Sequence, residues 1–362
     1  MASQKAKSEV LVVGAGFMGQ NYLRTLGELS VPGVSVVEPT PTDSAKKLFS
    51  ELSLPYYRGL LDALKETSNS GFSKVIVAAP TTEHLNILET LGVMAKNRKN
   101  NEPVAVLCEK PLVHVSHASQ MSKFLEKYNN MLNIRTGFVC NASPAYRDFL
   151  ELLKNGNAYP ISIAARWSKD RTGDNRPSNG WFNDEFPHPL AAVSTLCKDL
   201  GLSQPKVTRA SASHDSYVGA AAGQGDPNRE HGLVSSGTAY LESLRPDGGA
   251  IKIEISGSYK ATEKKRTVEV KWRSGSINGP RHHTSVAFDL PDGTDEFSDR
   301  CDGAANSFTA TRFNKLQIML KSFLSGRPSS ALISGREALL MVYQQSQIGS
   351  LIARPQLGQK KT

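Results

Sequence analysis

The chain has 362 residues, 39% hydrophobic and 21% charged, which suits two globular domains and excludes wholesale disorder, collagen and a disulfide miniprotein. No apolar run approaches the roughly 20 residues that cross a bilayer, so no membrane partner is expected. The net charge of +9 is dispersed, apart from a basic stretch between Lys260 and Arg281, and no recognition motif accompanies it, so no nucleic-acid partner is expected.

Val10 to Val13 is a continuous apolar run followed by glycines, and Phe17 to Leu29 reads as a helix. A second run, Val34 to Val37, ends in Glu38 and precedes a helix over Thr42 to Leu52. The alternation continues with a strand at Val75 to Ala79, a helix at Thr82 to Met94, a strand at Val104 to Cys108, a helix at Ala118 to Tyr128 and a strand at Ile134 to Val139. Strands this uniformly apolar are buried on both faces, and helices between them imply a parallel sheet of βαβ units. Beyond residue 140 the pattern changes. Pro144 to Leu153 reads as a connecting helix, and Ile251 to Ile255, Val268 to Trp272 and Val286 to Leu290 alternate apolar and polar residues, as strands with one covered face do. Helices over about Phe308 to Leu324 and Arg336 to Ile352 close the chain, and Gly219 to Pro227 reads as a flexible connection.

Gly14-Ala15-Gly16-Phe17-Met18-Gly19 follows the first strand and opens the first helix. Gly14 permits a tight turn, Gly16 lets a pyrophosphate approach the backbone, and Gly19 lets helix and strand pack closely. The helix N-terminus offers N–H groups to the phosphates. A GxGxxG alone is common; here a buried strand, a helix and an acid about 20 positions on complete the dinucleotide pattern. That acid, Glu38, stands where a carboxylate bonds the ribose 2′-hydroxyl of NAD and repels the 2′-phosphate of NADP. NAD is therefore favoured, with NADP still admitted because Lys46 and Lys47 lie in the next helix. Glu109-Lys110-Pro111 directly follows a buried strand, which puts Lys110 over the crevice where such sheets bind ligands.

With Ala79-Pro80-Thr81-Thr82-Glu83-His84, Cys108-Glu109-Lys110-Pro111-Leu112 and Gly137-Phe138 in this order, about the first 145 residues resemble the glucose-fructose oxidoreductase / inositol dehydrogenase (Gfo/Idh/MocA) family. The resemblance implies an N-terminal Rossmann dinucleotide-binding domain, residues 1–141, and a C-terminal α+β domain with a large, mostly antiparallel open-faced sheet, residues 142–362, for substrate binding and oligomerisation. It implies an NAD(P)-dependent dehydrogenase or reductase acting on a sugar, polyol or related hydroxy or keto compound. Lys110 becomes the lysine that contacts nicotinamide and substrate. Ala79, Pro80, Thr81, His84 and Glu109 join the glycine loop in lining the cofactor, although His84 reads equally well as a helix cap. Asp184 becomes the residue that positions substrate and His188 the acid/base, a task that suits a side chain with a pKa near neutrality.

The chain departs from the family at Phe186, where glycine often stands, and at Ala191, where a second aspartate often follows, while Asn141 lies near the place of a common arginine. Pro187 and Pro189 prevent a regular helix from spanning Asp184 to His188. Arg166, Lys169, Arg171 and Arg176 read either as contacts for an anionic substrate group or as an exposed strand end, and Tyr217, Tyr240 and Trp272 as sheet packing. Met1 to Glu9 lacks the apolar segment of a secretory signal and Gln359 to Thr362 resembles no anchor. Cys108, Cys140, Cys197 and Cys301 show no metal-ligand spacing, so no metal is expected, and free thiols fit a reducing cytoplasm. Two other functions remain open: a family member that uses bound NAD for elimination or glycoside cleavage without net redox change, and a non-catalytic dinucleotide-binding regulator. The resemblance further implies a homodimer or homotetramer built on the sheet face that carries Lys252, Glu254, Glu269, Lys271 and Arg273.

Overall fold

The computed structural model describes residues 9–66, 72–98, 102–170, 181–214, 234–302, 304–310 and 314–353. In chain order the elements are β1 (Val10–Val13), α1 (Phe17–Glu28), β2 (Val34–Val37), α2 (Asp43–Glu51), β3 (Tyr56–Tyr57), α3 (Leu60–Glu66), β4 (Lys74–Val77), α4 (His84–Lys96), β5 (Val104–Cys108), α5 (Ala118–Tyr128) and β6 (Leu132–Gly137). Next come α6 (Pro144–Asn155), β7 (Ala158–Asp170), α7 (Trp181–Asp184), α8 (Pro187–Asp199), β8 (Lys206–His214), β9 (Val234–Leu244), β10 (Ala250–Ser258), β11 (Lys260–Ser274), β12 (Arg281–Ala287), β13 (Asp295–Cys301) and β14 (Ala304–Ala310). The last three are α9 (Lys315–Ser325), β15 (Leu332–Ser334) and α10 (Gly335–Ala353).

The chain divides into two compact units: Met1–Val139 with Asn314–Val342, and Cys140–Phe313 with Tyr343–Thr362. The first unit holds a sheet ordered β15-β6-β5-β4-β1-β2-β3. Its strands are parallel except β15, which runs antiparallel to β6. β1 and β2 are buried at every position, as their unbroken valine-rich runs require of strands covered on both faces. The Thr42 side chain accepts a hydrogen bond from Ala45 N and so starts α2, and the Asn314 side chain starts α9 in the same way from Gln317 N.

The second unit holds a sheet ordered β14-β13-β12-β11-β7-β10-β9-β8, antiparallel throughout except for β10 against β7. Alternation sorts its side chains. Ile163, Ala165 and Trp167 of β7, Ile251, Ile253 and Ile255 of β10, and Val268, Val270 and Trp272 of β11 are buried. α8 packs on β7 and β11, and α6 on β12, β13 and β14. The opposite positions on β10, Lys252 and Glu254, are exposed.

Two expectations are corrected. Phe308 does not begin a helix: it pairs with Phe297 in β14, and the helix starts only after the Asn314 cap. β12 ends at Ala287 rather than Leu290, because Asp289 turns the chain with a positive φ of 51°. Arg171, Arg176, Tyr217, the Gly219 to Pro227 stretch, and the segments from Met1 to Ser8 and Gln359 to Thr362 lie outside the described residues. No helix among the described residues is long and apolar enough to cross a membrane.

Candidate active site

In the first unit the glycine loop joins β1 to α1. Gly14 has a φ of 96°, and a Cβ there would lie 2.7 Å from Ala79 N, so the loop backbone runs against the end of β4. At Gly19 a Cβ would stand 2.0 Å from the Gly14 carbonyl oxygen. Only glycine allows α1 to start this close to the strand. Gly16 differs: a Cβ there meets nothing within 4 Å. It is the N-cap of α1, with no side chain capping the helix, and Phe17 beside it is exposed. An open place over an uncapped helix N-terminus fits a pyrophosphate, so these residues suit a dinucleotide.

Glu38 follows β2 and accepts hydrogen bonds from Ala15 N at 2.7 Å and Thr40 N at 3.1 Å. The carboxylate is thereby fixed at the rim of the glycine loop, the position an acid needs to meet an adenosine ribose.

The chain after β5 is braced from below. Glu109 is buried, accepts from Tyr22 Oη of α1 at 2.5 Å and from Lys110 N at 3.1 Å. Burial, with Glu109 beside it, pushes the Tyr22 phenol well above its ordinary pKa, so it stays a donor. Lys110 is half-buried directly after this brace. His84 opens α4 and is buried. Its Nε2 lies 2.9 Å from Ala79 O, and its Nδ1 lies 3.1 Å from both Pro111 O and Leu112 O and 3.4 Å from Cys108 Sγ. Burial lowers the His84 pKa, against the pull of those carbonyls. His84 thus joins the Ala79-Pro80-Thr81 turn to the Lys110-Pro111 turn from underneath.

In the second unit α7 carries the expected acid. Gly237 and Gly257 face each other across β9 and β10, and a Cβ on either would collide with the rings of Phe182 and Trp181, at 2.5 and 2.4 Å. These two glycines seat α7 on the sheet. Trp181 Nε1 donates to Trp167 O at 2.8 Å, and Gln345 of α10 donates to Phe182 O at 2.9 Å. Asp184 ends the short helix and accepts from Tyr259 Oη at 3.1 Å. The chain turns, with His188 N donating to Glu185 O at 3.0 Å, and α8 begins at Pro187, where a proline is tolerated. His188 is half-buried and stacks on Trp167, with centroids 5.9 Å apart and planes 14° apart. Asn141, near the place of the family's common arginine, is buried and donates to Thr195 Oγ1 at 3.1 Å.

Sequence reasoning passed over Tyr22, Tyr259, Trp167 and the acid between the two expected residues, Glu185. Glu185 is buried and pairs with Lys169 through Oε1 and with Arg266 through Oε2, the latter at 3.4 Å. Arg266 also pairs with Asp289. Burial alone would push the Glu185 carboxyl up, but His188, Lys169 and Arg266 hold it down at about 2. Arg166, by contrast, pairs with Glu269 at 3.9 Å among outward residues. No group of three or more metal-ligating side chains occurs among the described residues.

A Rossmann unit with a dinucleotide-fitting glycine loop and an open-sheet unit with a histidine at a helix start make up the chain. Residues 8–136 match the model of an oxidoreductase family with an NAD-binding Rossmann fold, GFO_IDH_MocA. That match covers the strands and helices of the first unit from β1 to β6, so this part of the chain is similar to the NAD-binding domain of that oxidoreductase family. Three solved structures share its fold, each at 15% identity. UDP-N-acetylglucosamine 3-dehydrogenase GnnA from Acidithiobacillus ferrooxidans superposes with a TM-score of 0.71, over 95% of this chain and 97% of that one. KijD10, a 3-ketoreductase from Actinomadura kijaniata in complex with NADP and TDP-benzene, gives 0.67 over 95% and 97%. The dehydrogenase MviM from Clostridium difficile gives 0.68 over 95% and 99%. No curated protein matches the chain.

Proposed function

We propose that the protein is an NAD-dependent dehydrogenase or reductase that interconverts a hydroxyl and a carbonyl group on a sugar, polyol or related compound. The observation that carries this reading is the first unit's loop: an open Gly16 over an uncapped helix, with the Glu38 carboxylate fixed 2.7 Å from Ala15 N beside it. The nicotinamide ring, when bound, accepts or donates the hydride. Gly14, Gly16 and Gly19 admit the pyrophosphate, Glu38 selects the unphosphorylated ribose, and the Ala79-Pro80-Thr81 turn lines the cofactor. Lys110, set by the Glu109 brace and the His84 clasp, orients the substrate oxygen. In oxidation the substrate C–H electron pair leaves as hydride while the hydroxyl proton passes to His188; reduction returns that proton to the carbonyl oxygen. Asp184, itself held by Tyr259, positions the substrate.

GnnA is named for a nucleotide-linked sugar and KijD10 is a 3-ketoreductase crystallised with TDP-benzene. Nucleotide-linked sugars therefore head the substrate panel. The four cysteines are free thiols, in keeping with a reducing cytoplasm. The outward sheet face of the second unit is assigned to pairing with a second copy. The test tracks nicotinamide absorbance with NAD or NADH across sugar nucleotides, polyols and keto sugars. Net conversion of cofactor with one class supports the proposal; product formation without net conversion, or tight cofactor binding with no turnover on any of them, overturns it.

A further inference from the structure

Glu185 lies between the two residues of the expected pair, and the proposed reaction gives it no part. A buried carboxylate is retained only where cations compensate it. Here the compensation is unusually complete: each oxygen has its own cation, Lys169 from β7 and Arg266 from β11. Two cations, Lys169 and Arg266, thus face two anions, Glu185 and Asp289. Lys264 adds a more exposed contact to Asp289 at 3.5 Å. His188 is the neighbour left to sense the arrangement. Its backbone N–H is held by the Glu185 carbonyl, and its ring lies on Trp167, whose ring Arg266 also approaches, at 5.4 Å.

We propose that Glu185 is a positioning residue whose fixed carboxylate raises the basicity of His188, with Lys169 and Arg266 holding that carboxylate in place. The proposal rests on the reading of His188 as the acid/base. The charged and titratable groups around α8 come from the four elements that pack most on it: Lys169 from β7, Arg266 from β11, Asp184 from α7, and Tyr146 from α6, which donates to Ala192 O. Cys140, before α6, and Tyr259, after β10, complete the set, together with Asp289 behind Arg266. Of these, Glu185 is the acid joined to His188 by a backbone turn and fixed at both oxygens. Removing its charge must lower the histidine's proton affinity, and removing a cation that neutralises it must raise that affinity. Simple loosening of the fold would move both in one direction.

The experiment uses the full chain without added cofactor. The His188 ring proton is tracked by NMR through a pH titration and assigned by its loss in His188→Asn. In Glu185→Gln the midpoint falls by about one pH unit. In Glu185→Asp it stays near the parent value, and in Lys169→Gln it rises. The acid limb of kcat/KM for oxidation moves with it in each variant. A His188 midpoint unchanged in folded Glu185→Gln overturns the proposal. If that variant does not fold, a Lys169→Gln midpoint that stays put or falls overturns it equally. Shifted midpoints with full turnover in His188→Ala support the Glu185–His188 pair and overturn instead the assignment of His188 as the acid/base.

Discussion

Gly16→Ala and Gly19→Ala place the same methyl group three residues apart and have opposite expected consequences. At Gly19 the new Cβ would lie 2.0 Å from the Gly14 carbonyl oxygen and 2.8 Å from its carbon. A carbon and a carbonyl oxygen approach to about 3.3 Å, so α1 must retreat from β1 by more than an ångström. Both obstructing atoms are backbone and cannot rotate away. Overpacking of this kind costs about 3 kcal/mol. At Gly16 the Cβ meets nothing within 4 Å, and the φ of −66° is one any residue adopts. The free protein should keep its stability to within about 0.5 kcal/mol. The methyl would instead stand where the pyrophosphate approaches, so NADH affinity should fall about tenfold, near 1.4 kcal/mol. Urea unfolding monitored by tryptophan fluorescence measures the first quantity and NADH fluorescence titration the second. Native NADH affinity in Gly16→Ala would refute the placement of the pyrophosphate. Equal destabilisation by both substitutions would reduce the glycine pattern to a packing device.

Glu38 should make NADH bind more tightly than NADPH, and Glu38→Gln should narrow the gap; equal or tighter NADPH binding by the parent protein sinks the assignment. Lys110→Ala and His188→Ala should each fold and bind cofactor while single-turnover rates fall by about a hundredfold or more, and near-native rates in His188→Ala at neutral pH would point to another acid/base. The Glu185 carboxyl, held at about 2 in the folded chain against an ordinary 4.5, is a depressed acid. Its contribution of about 3 kcal/mol is complete above pH 4.5 and drains away as pH falls toward 2, so the parent chain should lose about 2 kcal/mol more stability than Glu185→Gln between neutral pH and pH 3 in urea titrations; parallel losses would contradict the ion-pair account. Light scattering at micromolar concentration should give a dimer or tetramer mass, and a monomer at every accessible concentration would leave the outward face of the second sheet a solvated surface.

The first unit was legible because its chemistry is contiguous. β1, the glycine loop, α1 and the acid after β2 lie within one βαβ stretch, where apolar runs and glycines announce a tight turn without help from the rest of the chain. The individual duties were less legible. His84 read equally well as cofactor wall or helix cap, and the structure places it between two turns, its ring nitrogens 2.9 to 3.1 Å from carbonyl oxygens of both. Its partners at Pro111 and Leu112 arrive through the β4–β5 pairing, which no local pattern encodes. Tyr22 stood unremarked within the Phe17 to Leu29 helix, and only its meeting with Glu109 gives its hydroxyl a purpose.

The second unit shows why the rest was hidden. The segment from Trp181 to Pro189 contains the expected acid and histidine, but their surroundings depend on strand register. β11 pairs with β7 so that Arg266 stands opposite Trp167 and Lys265 opposite Ser168, past a bulge between Lys260 and Lys265. A slip of one residue would turn Arg266 to the outward face and put Lys265 inside. Glu185 would then lose the guanidinium on its second oxygen, one of the charges that hold its carboxyl below the usual range. In sequence, Lys264, Lys265 and Arg266 are three adjacent cations of a basic stretch that reads as solvated. The register makes Arg266 a half of two ion pairs and leaves Lys264 on the rim. On the proposal that Glu185 tunes His188, the acid/base chemistry of a five-residue segment depends on a strand pairing some eighty residues away.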